Sequence, residues 1–160
     1  MRIIKQIIPY VIILLVVVII RTFIVTPVVV SGSSMDDTLK DGNILLLNKF
    51  DKTYERYDII VFDYQNSKLV KRIIGLPGEH IKYDNGVLYI NDVKYDDEFS
   101  LETLDFNLNV LGLDTIPEGY YFVLGDNRMK SSDSRIIGLV SEKDINGTTT
   151  FSLWPFKKIK

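Results

Sequence analysis

Asp84-Asn85-Gly86-Val87-Leu88-Tyr89-Ile90-Asn91-Asp92-Val93-Lys94-Tyr95 is the stretch that decides the fold class. An Asn-Gly pair suits a two-residue type I′ turn, because both central positions need positive φ. Apolar residues flank it, so it predicts a β-hairpin. Asn91-Asp92 before Val93-Lys94-Tyr95 predicts a second one. The same texture recurs outward along the chain. Ile44-Leu45-Leu46-Leu47, Ile59-Ile60-Val61-Phe62, residues 70–74 and residues 120–124 read as strands. Asp41-Gly42-Asn43 and Pro77-Gly78 supply turn chemistry between them. The domain is therefore expected to be mainly β, with no repeats and no low-complexity linker. Residues 97–115 are acidic and without period, and are expected to form loop with at most one short element.

The N-terminus differs. Residues 7–20 are apolar apart from the Tyr10 hydroxyl. As a helix they rise about 21 Å, short of the roughly 30 Å hydrocarbon core of a bilayer. Continuing to Val25 restores the length, provided Arg21 snorkels to the interface. Pro9 falls near the start, where a helix tolerates it, and Pro27 predicts a stop, with Thr26 biased toward extended structure. On hydropathy alone the segment fits a membrane anchor or a cleavable signal peptide equally well. A core helix suits a small β domain poorly. Arg2 and Lys5 place the N-terminus of an anchor in the cytoplasm.

Composition excludes several classes. The 160 residues hold no cysteine, which removes disulfides, thiol catalysis and cysteine-ligated metals. His80 is the single histidine and lacks the surroundings of a Ser-His-Asp triad, so it reads as a surface residue. No metal and no cofactor is expected. A net charge of −2 offers no basic patch for nucleic acid.

Two residues could carry hydrolytic chemistry. Ser34 ends the turn-like Ser31-Gly32-Ser33-Ser34, and a serine hydroxyl needs an adjacent base to act as a nucleophile. Lys71 lies in Val70-Lys71-Arg72-Ile73, where strand alternation sends Lys71 and Arg72 to opposite faces. One of these two basic side chains must then face the core. An ordinary lysine is protonated at pH 7, and bringing it to near neutrality takes roughly 4.6 kcal/mol against the charged form. Burial can supply that where no carboxylate lies close. Taken singly, a polar loop and a solvated strand lysine would explain both residues as well.

The combination is more specific. Ser33-Ser34-Met35, then Leu69-Val70-Lys71-Arg72-Ile73-Ile74-Gly75-Leu76-Pro77-Gly78, then Gly125-Asp126-Asn127-Arg128 with Ser131-Ser132-Asp133-Ser134-Arg135, follow one apolar segment in that order. This chain resembles the bacterial type I signal peptidases in their short, Gram-positive form, from the anchor to Trp154-Pro155-Phe156. The resemblance implies a signal-peptidase-like β-sheet catalytic domain behind one N-terminal transmembrane helix. Residues 1–6 would be cytoplasmic, 7–25 the anchor and 26–160 the extracytoplasmic domain of a single-pass cell-membrane protein. It implies a serine endopeptidase with Ser34 as nucleophile and Lys71 as general base. Its partners would be membrane lipid and secretory preproteins, cut after small residues at the −1 and −3 positions, and the chain would act as a monomer. Ser131 would orient the lysine amine, Arg72 and Asp126 would form a buried ion pair, and Asp133 and Arg135 would shape the loop. Arg128 would be structural too, and the Ser34 backbone N–H would serve the oxyanion; Gly32 offers no hydroxyl, so either backbone groups suffice there or Ser33 substitutes. One departure stands out: Ser34-Met35-Asp36-Asp37-Thr38-Leu39 carries Asp37 where the family has proline. An inactive membrane-tethered binding homologue rests on that residue alone. A self-cleaving Ser-Lys protease of the repressor type is opposed by the apolar N-terminus.

Overall fold

The computed structural model describes residues 2–23, 25–36, 38–50, 52–99 and 103–159, with side chains over 6–18 in the first helix. Asp37 lies outside the described residues. Helix α1 spans Arg2–Phe23, with Pro9 inside it. Its described side chains are all exposed, from Gln6 to Val18. They rise about 20 Å. Among the described residues no helix is long and apolar enough to cross a membrane.

Val25 opens a strand instead of ending the helix. Strand β1 (Val25–Val29) pairs antiparallel with β2 (Ile44–Asn48), Pro27 opposite Leu46. Pro27 was expected as a stop, and it sits within the strand. The β-branched Val25 and Thr26 favour extended backbone, and among the described residues β1 pairs only with β2, so its outer edge tolerates a residue without an N–H.

The main sheet adds β3 (Ile59–Tyr64), β4 (Ser67–Gly75), β9 (Tyr120–Leu124), β10 (Val140–Ser141), β11 (Ile145–Thr149), β12 (Phe151–Trp154) and β13 (Phe156–Lys158). Its order is β10-β9-β4-β3-β11-β2-β12-β13, with β1 also on β2. Strand β11 bridges β3 and β2. Gly147, at its bulge, lies so close to the Asn48 backbone that a Cβ would collide with the Asn48 carbonyl. The second sheet, ordered β7-β6-β5-β8, consists of β5 (Ile81–Asp84), β6 (Val87–Ile90), β7 (Val93–Tyr95) and β8 (Phe106–Asn107). Asn85 and Gly86 have φ of 49° and 74°, and Asn91 and Asp92 have 50° and 64°, so both anticipated hairpins form. Residues 97–115, expected to hold at most one short element, carry both β8 and a short 3-10 helix, Leu108–Leu111, capped by the Asn107 side chain.

Among the described residues, three apolar clusters fill the domain. One gathers Val30, Met35, Leu39, Leu45 and Ile59 beneath the Ser34 loop. A second underlies the small sheet around Ile81, Tyr83, Leu88 and Phe122. The third includes Ile60, Phe62, Ile73 and Val123. Lys71 pairs across the sheet with Ile60, and Arg72 with Ile59 and Leu124. The two basic residues thus take opposite faces, and both are buried, 2% and 4% exposed.

Candidate active site

Ser34 sits in a tight turn just after β1. Asp36 N–H donates to the Ser33 carbonyl (3.1 Å), and Thr38 and Leu39 N–H to that of Met35 (3.1 and 2.7 Å). Met35 and Leu39 are buried in the first cluster and pin this turn to the sheet. Gly32, at φ 93°, admits the chain to the turn, and its N–H donates to Asp41 Oδ1 at 2.8 Å. A side chain is disfavoured there on backbone grounds alone.

Lys71 reaches Ser34 from β4. Its Nζ lies 2.7 Å from Ser34 Oγ and donates to the Val70 carbonyl at 3.0 Å. Burial lowers its pKa from 10.5 to about 8, against the pull of Asp133 and Asp126, which favour the ammonium. Desolvation wins because both carboxylates are already engaged by arginines. Arg72 clamps Asp126 with two bonds, Nε to Oδ1 at 2.8 Å and Nη2 to Oδ2 at 2.7 Å, and Asp126 is almost wholly enclosed. Arg135 clamps Asp133 likewise, at 2.8 Å to each oxygen. Arg72 thus pairs with Asp126, and Asp133 and Arg135, expected to shape the loop, pair with each other.

Gly125 lies at the junction of these groups. Its N–H donates to Asp133 Oδ2 at 3.1 Å, and its carbonyl accepts from Arg128 Nε at 3.0 Å. A Cβ there would collide with Ser131 Oγ and the Ser34 carbonyl. Next along, Asn127 grips the Ser34 turn twice. Its N–H donates to the Ser34 carbonyl and its Nδ2 to the Ser33 carbonyl, each at 3.1 Å.

Ser131 differs from expectation. Its Oγ is buried and has no hydrogen-bond partner among the described residues, the Lys71 amine included. The amine is turned to Ser34 and Val70 instead, while Ser131 packs over Gly125. Sequence reasoning also missed Asp97, which takes Arg128 Nη1 and Nη2 at 2.6 and 3.0 Å, assisted by Tyr83 and Thr103. Burial works against the Asp97 charge, yet Arg128 holds its carboxyl below the ordinary value. Nothing in Asp96-Asp97-Glu98 marks the middle acid as the buried one. Ser134 was not singled out either, although its hydroxyl accepts the Val123 N–H at 2.9 Å.

Comparison with known proteins meets this geometry from another side. Residues 3–154 match the family model described as "Signal peptidase, peptidase S26". The chain is 43% identical over 156 residues to signal peptidase I of Bacillus caldolyticus, covering 86% of this chain and 84% of that one. It is 39% identical over 161 residues to signal peptidase IB of Staphylococcus aureus, covering 86% and 82%. The crystal structure of a signal peptidase I from Enterococcus faecalis V583 superposes with a TM-score of 0.56 at 38% identity, over 60% of this chain and 96% of that one. A buried lysine against a turn serine, framed by paired charges and carried on a mainly β domain, is thus found in a chain that belongs to the signal peptidase family, peptidase S26.

Proposed function

We propose that the protein removes signal peptides from secretory preproteins as a serine endopeptidase, with Ser34 as nucleophile and Lys71 as general base. The observation that carries this reading is the 2.7 Å approach of a buried, pKa-depressed amine to the Ser34 hydroxyl. With a pKa of about 8, roughly a tenth of the molecules hold the neutral amine at pH 7. In that form the Nζ lone pair accepts the Ser34 proton as Oγ attacks the scissile carbonyl. The ammonium then protonates the leaving nitrogen, and the amine next deprotonates the water that releases the acyl group. The Ser34 N–H is the natural donor to the oxyanion, and Gly32 adds no side-chain group. The buried Ser131 hydroxyl is the group that would receive the remaining amine hydrogen once Ser34 has reacted. The pairs Arg72–Asp126 and Arg135–Asp133 hold the carboxylates away from the amine, which keeps Lys71 weakly basic. Cleavage would follow small residues at −1 and −3, in shallow apolar pockets.

We read α1 as the single-pass anchor, with the N-terminus cytoplasmic, the β domain extracytoplasmic, lipid around the helix and the protein acting as a monomer. What supports this is a helix whose side chains from Ile7 to Val18 are apolar apart from the Tyr10 hydroxyl and all exposed, Leu14 by 63%. Arg2 and Lys5 at its start fit the positive-inside rule. The decisive assay is cleavage of a purified preprotein in detergent by the wild type, Ser34→Ala and Lys71→Arg. The wild type is expected to cut, and both variants to be inert, since a guanidinium stays protonated. Turnover by Ser34→Ala would refute the assignment. Protease protection in intact cells tests topology: a shielded C-terminal domain would refute its extracytoplasmic placement, and an N-terminus sequenced near Ser31 would refute the anchor.

A further inference from the structure

The connection leaving the second sheet after β7 carries side chains that the Ser34–Lys71 chemistry does not use. Asp97 is buried and holds both outer nitrogens of Arg128. Tyr83 OH donates to the same carboxylate at 2.6 Å, and Arg128 Nη1 also reaches Thr103 Oγ1 at 2.6 Å. Two residues on, the Phe99 ring lies 5.6 Å from the Arg72 guanidinium and 5.7 Å from that of Arg128. One aromatic ring thus meets two buried cations. Tyr57 joins the same segment. It has φ 73°, a position costly for an aromatic residue, and its hydroxyl donates to the Asp96 carbonyl. Its own carbonyl accepts from Arg72 Nη1 at 2.9 Å.

Both arginines lead directly to the proposed reacting pair. Arg72 follows Lys71 on β4. Arg128 holds the Gly125 carbonyl, while its own carbonyl accepts from Arg135 Nη2 at 2.7 Å. Gly125 and Asn127 in turn seat the Ser34 carbonyl. Replacing a buried ion pair by apolar residues is often neutral or stabilising. A bidentate arginine–carboxylate pair does, however, fix direction, which apolar packing does not.

We propose that Asp97 and Phe99 are positioning residues: by fixing Arg128 and Arg72 from the second sheet, they hold the 125–127 turn against Ser34 and keep Ser34 aligned with Lys71. This rests on the reading of Ser34 and Lys71 as the reacting pair. The small sheet then has a task in catalysis without touching substrate. A displacement of about 1 Å at the nucleophile lowers rate on the order of 100-fold.

The test uses the full chain in detergent, with Asp97→Asn, Phe99→Leu and Phe99→Tyr. Steady-state cleavage, thermal melting and amide exchange at Gly125 and Asn127 are measured on each. For Asp97→Asn and Phe99→Leu, kcat is expected to fall about tenfold or more with KM within about twofold. Exchange at the two amides is expected to quicken by about tenfold or more while the melting transition persists. Phe99→Tyr keeps the ring face and should stay within about twofold of wild-type kcat. Wild-type kcat and exchange in both Asp97→Asn and Phe99→Leu would overturn the proposal. If Asp97→Asn loses its melting transition, Phe99→Leu decides by the same readings. An inert wild type would refute the Ser34–Lys71 reading instead, and the exchange measurement, which needs no substrate, would still decide whether this segment holds the turn.

Discussion

Lys71→Met should make the protein more stable near neutrality while abolishing its activity. In the folded protein the Lys71 pKa drops from 10.5 to about 8. At about 1.4 kcal/mol per tenfold, the buried ammonium costs the fold roughly 3 kcal/mol. The sign follows from proton counting. Below pH 8 the lysine is protonated in both folded and unfolded chains, so the full cost is present. Between pH 8 and 10.5 the unfolded chain binds more protons, so raising the pH stabilises the wild type. Above that window the cost is gone. Methionine fills a similar volume without charge and forfeits the contacts to Ser34 and Val70, a loss of roughly 1–2 kcal/mol. The expected net gain at pH 6–7 is therefore about 1–2 kcal/mol, or several degrees in Tm for a domain of this size. Urea denaturation of wild type and variant at pH 6, 8 and 10 isolates the lysine, because other titrating groups cancel in the difference. A variant less stable at pH 6, or a gap that does not shrink toward pH 10, would refute the argument that desolvation controls Lys71.

The remaining predictions concern rate and turn geometry. With chemistry limiting, kcat/KM should rise roughly tenfold from pH 7 to 9 as the amine becomes neutral; a flat profile would rule out Lys71 as the base. Gly125→Ala should lower stability by about 1–3 kcal/mol and reduce kcat, because its Cβ meets Ser131 and the Ser34 carbonyl; a wild-type melting curve and kcat would contradict this. Gly32→Ser should fail to add an oxyanion hydroxyl, since φ 93° is strained for serine by roughly 1–2 kcal/mol; a gain in kcat would show otherwise. Asp37→Pro should raise activity or Tm by fixing the backbone after the nucleophile, a gain of about 0.4–1 kcal/mol, with Asp37→Asn leaving the pH profile unchanged. A shift toward lower pH in Asp37→Asn alone would mean that the carboxylate acts on Lys71.

What could be read from the chain depended on the range of the signal. Asn85-Gly86 and Asn91-Asp92 specify their hairpins within four residues, and apolar runs such as Ile59-Ile60-Val61-Phe62 announce buried strands. Lys71 and Arg72 could be placed on opposite faces by alternation alone. Their partners could not be obtained that way, since Ser34 and Asp126 lie 37 and 54 residues off, and the family motif supplied them. Asp97 belongs to no motif. It is one acid among neighbours, and only the docking of the small sheet buries it against Arg128. Strands β10 to β13 have two to five residues each, too short to show a period before their partners are known. Pro27 misled because a proline that ends a helix and one on an outer strand look alike in sequence.

The place of β11 has a consequence for timing. The turn bearing Ser34 leads into β2, whereas Lys71 rides on β4 beside β3, and β11 is the strand that sutures β2 to β3. Gly147 lets that seam close. Ser34 and Lys71 are thus both synthesised well before the strand that joins β2 to β3. A chain halted before Ile145 carries every motif residue but lacks the seam. A chain halted there is therefore expected to lack activity, although Ser34 and Lys71 are both already made.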